Sequence, residues 1–422
     1  MAKKAASSTS GGTKPAPKKA PAKSARAAGR AKGAKGHAED DLAPAPIRIP
    51  IPGPLSAILG QPRALSTLTT AFTSGRLHHA WIFHGPKGVG KMTTALAFAR
   101  AALDPTTTIA PSGLPEPDPA SDVQRMLSSG THPDLHVIVK EYARFHHDRE
   151  VRDKKLATIP KEVIKEHLID PIMLAPAIRD HGLASKVFII DEAELLDRYP
   201  THAPVQNAIL KSLEEPPPGS LLILVTSSEE RLLPTIRSRC QRVAFAPLES
   251  QDMQRWLATR PEISLPSDER DWLMEYAAGS PGAMLSAIER GMGAWRLALG
   301  PALDRVVRGE FPTELGKVLY DLSEGWAKEE VERNRNASKE TANRVGTRLV
   351  LKVVADRLRK ELRRLAASPE TAERAERFAH AIDAIREAER FVDSNVNVQF
   401  VMEGVVVQLA ASLRARPLTP AR

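Results

Sequence analysis

Apolar positions fall into two regimes along the chain. Up to about residue 248 they come as short, near-continuous runs: Ala80-Trp81-Ile82-Phe83, Lys186-Val187-Phe188-Ile189-Ile190 and Leu221-Leu222-Ile223-Leu224-Val225-Thr226. Runs of this length, partly β-branched, predict strands buried on both faces, and the helical stretches between them predict a parallel sheet. Residues 56–79 predict a helix hinged at Gly60-Gln61, and 93–102 predict a helix just after the first strand. Residues 104–121, rich in Pro and Thr, and 142–162, dense in mixed charge, predict surface excursions. From about residue 249 the strand signals stop. Residues 249–290 predict a small helical unit broken at Pro261, Pro266 and Gly279-Ser280-Pro281-Gly282. From 293 onward the pattern is helical with charged stretches at 326–345, 355–365 and 370–390. Leu351, Val354 and Leu358 take the i, i+3, i+7 spacing of one helix face.

A chain of 422 residues accommodates about two to four domains. Its net charge of +9 is misleading, because residues 1–38 hold ten Lys/Arg and no acid, so the remainder carries 9 − 10 = −1. That Ala/Lys/Pro/Ser/Gly-rich tail has too little apolar surface to order itself and offers a loose, salt-dependent hold on polyanions. The tail lacks the apolar core of a secretory signal, and no run reaches the roughly eighteen apolar residues of a membrane span. The single cysteine, Cys240, excludes intramolecular disulfides and multi-cysteine zinc sites. These features predict a soluble, cytoplasmic protein.

Candidate chemistry begins at Gly85-Pro86-Lys87-Gly88-Val89-Gly90-Lys91-Met92-Thr93. Strand, glycine loop, helix is the context of a phosphate-binding loop, in which backbone N–H groups surround phosphate oxygens and the lysine reaches the β/γ-phosphates. Met92 stands where a hydroxyl would ligate Mg²⁺, and a soft thioether does not serve that hard cation. Thr93 is rotated by about 100° on the helix and is no direct substitute. ATP is therefore expected at a degenerate site, weakly held or not hydrolysed, with its Mg²⁺ ligand missing. Asp191-Glu192 closes the second apolar run, where nucleotide hydrolases place acids for Mg²⁺ and for the attacking water; an acidic helix cap is the plainer reading. Thr226, ending the third run, is placed to sense a γ-phosphate. Arg237 and Arg239 lie in the loop beyond it, where an arginine can serve a neighbouring subunit's nucleotide. His132 and His136 are four apart, but Pro133 opposes the helix that would aim both rings at one ion; no metal site is expected there.

Further segments complete a resemblance. Ile58-Leu59-Gly60-Gln61, Gly75-Arg76-Leu77-His78-His79-Ala80, the glycine loop, His132-Pro133-Asp134 and Ile189-Ile190-Asp191-Glu192-Ala193-Glu194 together resemble AAA+ clamp-loader subunits. Most specific are Asn207-Ala208-Ile209-Leu210-Lys211-Ser212-Leu213-Glu214-Glu215-Pro216-Pro217 and Ser238-Arg239-Cys240. The likeness spans about residues 55–290, and Asn395-Val396-Asn397-Val398 before an apolar helix is similar to that family's collar domain. The resemblance implies an α/β plus all-α chain: a disordered basic tail and Pro-rich linker (1–50), an AAA+ parallel-sheet P-loop domain (51–247), a helical lid (248–292) and a helical collar (293–422).

Within the family, Met92, the single cysteine and Asp-Glu-Ala-Glu instead of the motor subunits' Asp-Glu-x-His resemble the delta-prime subunit. So does Ala283, where an arginine that senses nucleotide often stands. The implied role is a stator that offers Arg239 in trans, with Asp191 and Glu192 as remnants of a catalytic pair. Gly85, Pro86, Gly88, Val89, Gly90, Lys91, Met92, Thr93 and Thr226 form its nucleotide-site relics, and neither zinc nor any other metal is expected. Implied partners are the gamma/tau motor and delta subunits in a hetero-oligomer, with the sliding clamp and primer–template DNA reached through the complex. No membrane is implied, and the expected location is the cytoplasm, at nucleoid replication forks. Two other readings remain open: an active motor in which Thr93 or Thr94 takes over Mg²⁺, and a DNA-binding AAA+ repair factor that uses the tail.

Overall fold

The computed structural model describes residues 47, 49–50, 52–154, 156–197, 201–333, 337–393 and 396–414. The basic tail, the start of the linker and Asn395 lie outside them.

The five strands that form the main sheet are β1 (Ala80–His84), β2 (Leu135–Ile138), β3 (Lys186–Ile190), β4 (Ser220–Thr226) and β5 (Gln241–Ala244). They are parallel throughout, in the order β2-β3-β4-β1-β5. The three strands predicted from apolar runs are the three central ones. The sequence pattern misses both edges, because Leu-His-Val-Ile is only four residues long and interrupted by His136, and Gln-Arg-Val-Ala buries only Val243. Side chains alternate between two cores, as the period of two requires. Trp81, Phe83, Val187, Ile189, Ile223 and Val225 face one; Ile82, Phe188, Ile190, Leu222 and Leu224 face the other.

Helix α1 (Pro62–Thr73) is shorter than the expected 56–79 helix. A 3₁₀ turn at Leu55–Ala57 precedes it, Gly60 (φ +68°) interrupts, and Pro62 starts the helix at N1, where its missing N–H is harmless. Gly75 (φ +67°) ends it, and residues 76–79 lead out to β1. Helix α2 (Lys91–Leu103) follows the glycine loop and lies almost wholly in the core. The 142–162 segment is not a surface excursion, because Ala143, Val151, Leu156 and Ile159 are buried in the second core. Dense charge between irregularly spaced apolar residues had hidden them.

His132-Pro133-Asp134 is explained by backbone hydrogen bonding. The buried Asp134 carboxylate accepts N–H bonds from Ala177 (3.0 Å) and Ile178 (2.9 Å), tying the chain before β3 to the foot of β2. His132 Nδ1 accepts the Asp134 N–H at 3.2 Å, and His136 stacks on Phe188.

Helix α3 (Pro204–Glu214) separates β3 from β4. After β5 the described residues are helical: α4 (Ser250–Ala258), α5 (Ser267–Ala277) and α6 (Pro281–Glu289), then α7 (Gly293–Val307), α8 (Leu315–Arg333), α9 (Lys339–Leu365), α10 (Ala372–Asp393) and α11 (Val398–Leu413). Leu351, Val354 and Leu358 are fully buried, as their spacing predicts. Asn397 caps α11 by accepting the Gln399 N–H at 2.9 Å. Lys352 lies 4.0 Å above the Tyr276 ring and Arg290 stacks on Trp326 while bonding Glu330, so cation–π contacts join α5 and the end of α6 to the longer helices.

Asp134→Ala should lower unfolding stability by about 2–3 kcal/mol, because it leaves backbone donors without their charged acceptor. Urea denaturation checks the loss, and hydrogen exchange should quicken at Ala177 and Ile178. Native protection at those amides would contradict this role.

Candidate functional site

The glycine loop leaves the C-terminal end of β1. A Cβ on Gly85 (φ +139°) would collide with Phe245 O, and Gly88 (φ +80°) presses on Ser280 and Gly282. These positions demand glycine. Gln61 fixes the loop to the exit of β5: its side-chain amide donates to Val89 O (3.2 Å) and Ala246 O (2.7 Å) and accepts the Ala246 N–H. The segment before α6 closes over the loop, Ser280 Oγ donating to Lys87 O and the Gly282 N–H to Gly88 O, both at 2.9 Å. Ala283 follows there and brings no charge to the loop.

Backbone conformation here suits a phosphate cradle; the side chains are committed elsewhere. The Lys91 ammonium is buried and donates to Gly85 O (2.7 Å) and Pro86 O (2.6 Å). Burial pulls its pKa down, and Glu194 and Asp191 oppose the shift. Met92 packs against the core. Thr94 is fully buried and donates to Gly90 O at 2.9 Å, so its hydroxyl is turned into the helix. Thr93 is half-buried and has no side-chain hydrogen bond among the described residues.

Asp191 and Glu192 emerge from β3 beside this loop, Glu192 in a left-handed conformation (φ +48°). Two ammonium groups clamp its carboxylate, Lys87 Nζ at 2.7 Å and Lys140 Nζ at 2.5 Å. Burial alone would raise the Glu192 pKa, but Lys140 and Lys87 hold it down to about 2. Burial tends to lower Lys87, yet Glu192 outweighs it and the pKa is raised. Asp191 moves the other way, raised by burial and by the Glu192 charge. A carboxylate held that acidic is a weak base for activating water.

Thr226 is buried and donates to Glu194 Oε2 at 2.7 Å, while the same carboxylate accepts from Ser227 N–H and Oγ. The hydroxyl placed to sense a phosphate is therefore already satisfied by a carboxylate. Asp191, Glu192 and Glu194 thus stand among Lys87, Lys91 and Lys140, a site whose charges balance without a nucleotide. Lys140 could not be found from sequence, because the strand that delivers it was not read. Glu194 showed only as a departure from the family pattern.

Arg239 is not part of this cluster. It precedes β5, whose Gln241 lies level with Trp81 of β1 and whose Ala244 lies level with His84. The glycine loop leaves the opposite end of these parallel strands, roughly 13 Å further on at 3.3 Å per residue. Arg239 is 37% exposed, pairs with Glu214 at 2.8 Å and donates to Thr235 O at 3.0 Å. Neighbouring Cys240 is pushed up to about 12 by burial and is no nucleophile.

Among the described residues, His146, His147 and Glu166 come close enough to raise a metal reading, with ligand atoms within 4.8 Å. His146 Nδ1 accepts the Asp148 N–H at 3.1 Å, so the neutral ring keeps its proton on Nε2, facing Glu166 at 3.6 Å. An ion at Nε2 would have to displace that proton and cost Nδ1 its bond from Asp148, which makes His146 a poor ligand as it is held here.

Residues 60–249 match the family profile described as "DNA polymerase III, delta subunit". The DNA polymerase III subunit delta' of Bacillus subtilis (strain 168) is 30% identical over 196 residues, 46% of this chain and 50% of that protein. Its Escherichia coli (strain K12) counterpart is 29% identical over 225 residues, 53% of this chain and 58% of that protein. The Escherichia coli (strain K12) tau subunit is 31% identical over 207 residues, 49% of this chain but 27% of that protein. The chain spans about half the length of the delta' proteins it matches, and similarity alone does not separate delta' from gamma or tau. No helix among the described residues is long and apolar enough to cross a membrane.

With its pKa depressed from 4.5 to about 2, Glu192 contributes stability above pH 4.5 that is lost as pH falls toward 2. Lys140→Met should shift the Glu192 titration upward, read by carboxyl ¹³C NMR, and move acid unfolding to higher pH. An unchanged Glu192 titration would contradict the clamp.

Proposed function

We propose that this chain, similar over residues 60–249 to the DNA polymerase III delta family and to delta' subunits, is a clamp-loader subunit and the stationary, delta-prime-type member of that assembly. It helps load the sliding clamp onto primed DNA by offering Arg239 to the nucleotide of an adjoining ATPase subunit. The observation that carries this reading is the separation of Arg239 from the chain's own glycine loop, at opposite ends of the same strands. An arginine so placed is useless to its own site and available to a neighbour's. Guanidinium charge delivered to a γ-phosphate stabilises the transition state for its transfer. Glu214 pairs with the side chain without burying it, and such an exposed pair is exchanged at little cost.

The balanced charges around Lys91 support the same reading from the other side. A triphosphate entering the loop would have to draw Lys91 from two carbonyls, and water activation would require Glu192 to leave two lysines. The motor alternative needs an oxygen ligand where Met92 stands, and Thr94 is bonded to Gly90 O. Residues 85–93, Asp191, Glu192 and Thr226 are accordingly read as a retained architecture without turnover. The partners proposed are the gamma/tau and delta subunits, with clamp and DNA met through the complex, in the cytoplasm at replication forks.

Arg239→Ala should leave the thermal midpoint of the isolated chain within about 2 °C, since an exposed pair contributes only about 0–1 kcal/mol. In a reconstituted loader it should depress DNA-stimulated ATP turnover at least about tenfold at the adjoining site. Normal single-site turnover in the mutant complex would overturn the proposal.

A further inference from the structure

Most of the segment Gly75-Arg76-Leu77-His78-His79-Ala80 is engaged in local contacts, with the Arg76 side chain left over. Gly75 makes the left-handed turn after α1. His78 Nδ1 lies 2.8 Å from Ala80 O, and the His78 carbonyl accepts the Trp81 indole N–H at 2.7 Å. His79 Nε2 lies 2.9 Å from Leu213 O, and Ala80 is buried. Arg76 is exposed, and its guanidinium makes no hydrogen bond or ion pair among the described residues. It stands at an open groove of about 740 Å³ whose lining includes Ser66, Thr67, Thr70, Ser74 and Gln241.

The groove wall has a definite polarity. Thr67 Oγ1 donates to Arg63 O (2.9 Å), Thr70 Oγ1 to Ser66 O (2.9 Å) and Ser74 Oγ to Ala71 O (2.7 Å). The Thr67 and Thr70 hydrogens point back into α1, so these two hydroxyls present lone pairs to an occupant, while Ser74 Oγ accepts the Arg76 N–H at 3.3 Å. Phosphate oxygens would meet those lone pairs unfavourably. A peptide offers N–H groups to the wall and a carboxylate to the guanidinium. The groove also belongs to the Arg239 end of the sheet: His79 is tied to Leu213, the next residue Glu214 holds Arg239, and Gln241 follows two residues later.

We propose that this groove seats an acidic peptide segment of the adjoining ATPase subunit, with Arg76 gripping its carboxylate. The inference rests on the trans reading of Arg239 and adds a docking contact to it. The test uses fluorescently labelled full-length chain, titrated with the purified clamp-loader ATPase subunits and followed by anisotropy. Arg76→Glu should weaken association about tenfold, Arg76→Lys should retain most of it, and neither should move the thermal midpoint. Unchanged association of Arg76→Glu, while Arg239→Ala still depresses turnover, overturns the groove and leaves the proposed function standing. Loss of duplex DNA binding by Arg76→Glu with subunit association intact overturns it in favour of a polyanion. Failure of the parent chain to associate at all overturns both.

Discussion

Charge neutrality around the glycine loop is the constraint on which the rest of this site depends. A phosphate-binding loop normally keeps unsatisfied cations ready for an anionic ligand. Here Lys91 rests on two carbonyls, Lys87 and Lys140 are spent on Glu192, and Thr226 is spent on Glu194. Each contact is ordinary by itself. Together they leave each of these side chains with a partner inside the chain. The missing oxygen at Met92 then takes its place as one of several coordinated departures.

This neutrality also bears on rigidity. The segment before α6 is bonded to the glycine loop at Lys87 and Gly88, and α5 and α6 are stacked on the long helices through Lys352–Tyr276 and Arg290–Trp326. Sheet, short helices and long helices are linked in series by specific polar and cation–π contacts. Arg239 and Arg76 lie toward the other end of the strands, away from the glycine loop.

Much of this architecture was legible in the sequence, for physical reasons. Strands β1, β3 and β4 are buried on both faces and announce themselves as apolar runs; the helix face at Leu351, Val354 and Leu358 announces itself by spacing. Edge strands β2 and β5 do not, since each is only four residues long and carries a polar residue, His136 or Arg242, within its run. The helix expected over 56–79 breaks at its expected hinge, Gly60, and stops early at Gly75, where left-handed backbone outweighs helical propensity. Loop and acids were recognisable because phosphate chemistry restricts residue type and spacing. The lysine that disarms Glu192 was not, because Lys140 and Glu192 are brought together only by the pairing of β2 with β3. Sequence likewise marked Arg239 without revealing which end of the sheet it occupies.

The most direct test of an internally satisfied site is ATP hydrolysis by the purified, folded full-length chain with Mg²⁺, alongside its Met92→Thr variant. The account predicts turnover indistinguishable from background for both, because restoring one hydroxyl leaves Lys91, Glu192 and Thr226 engaged. Brisk magnesium-dependent hydrolysis by the parent chain would contradict it.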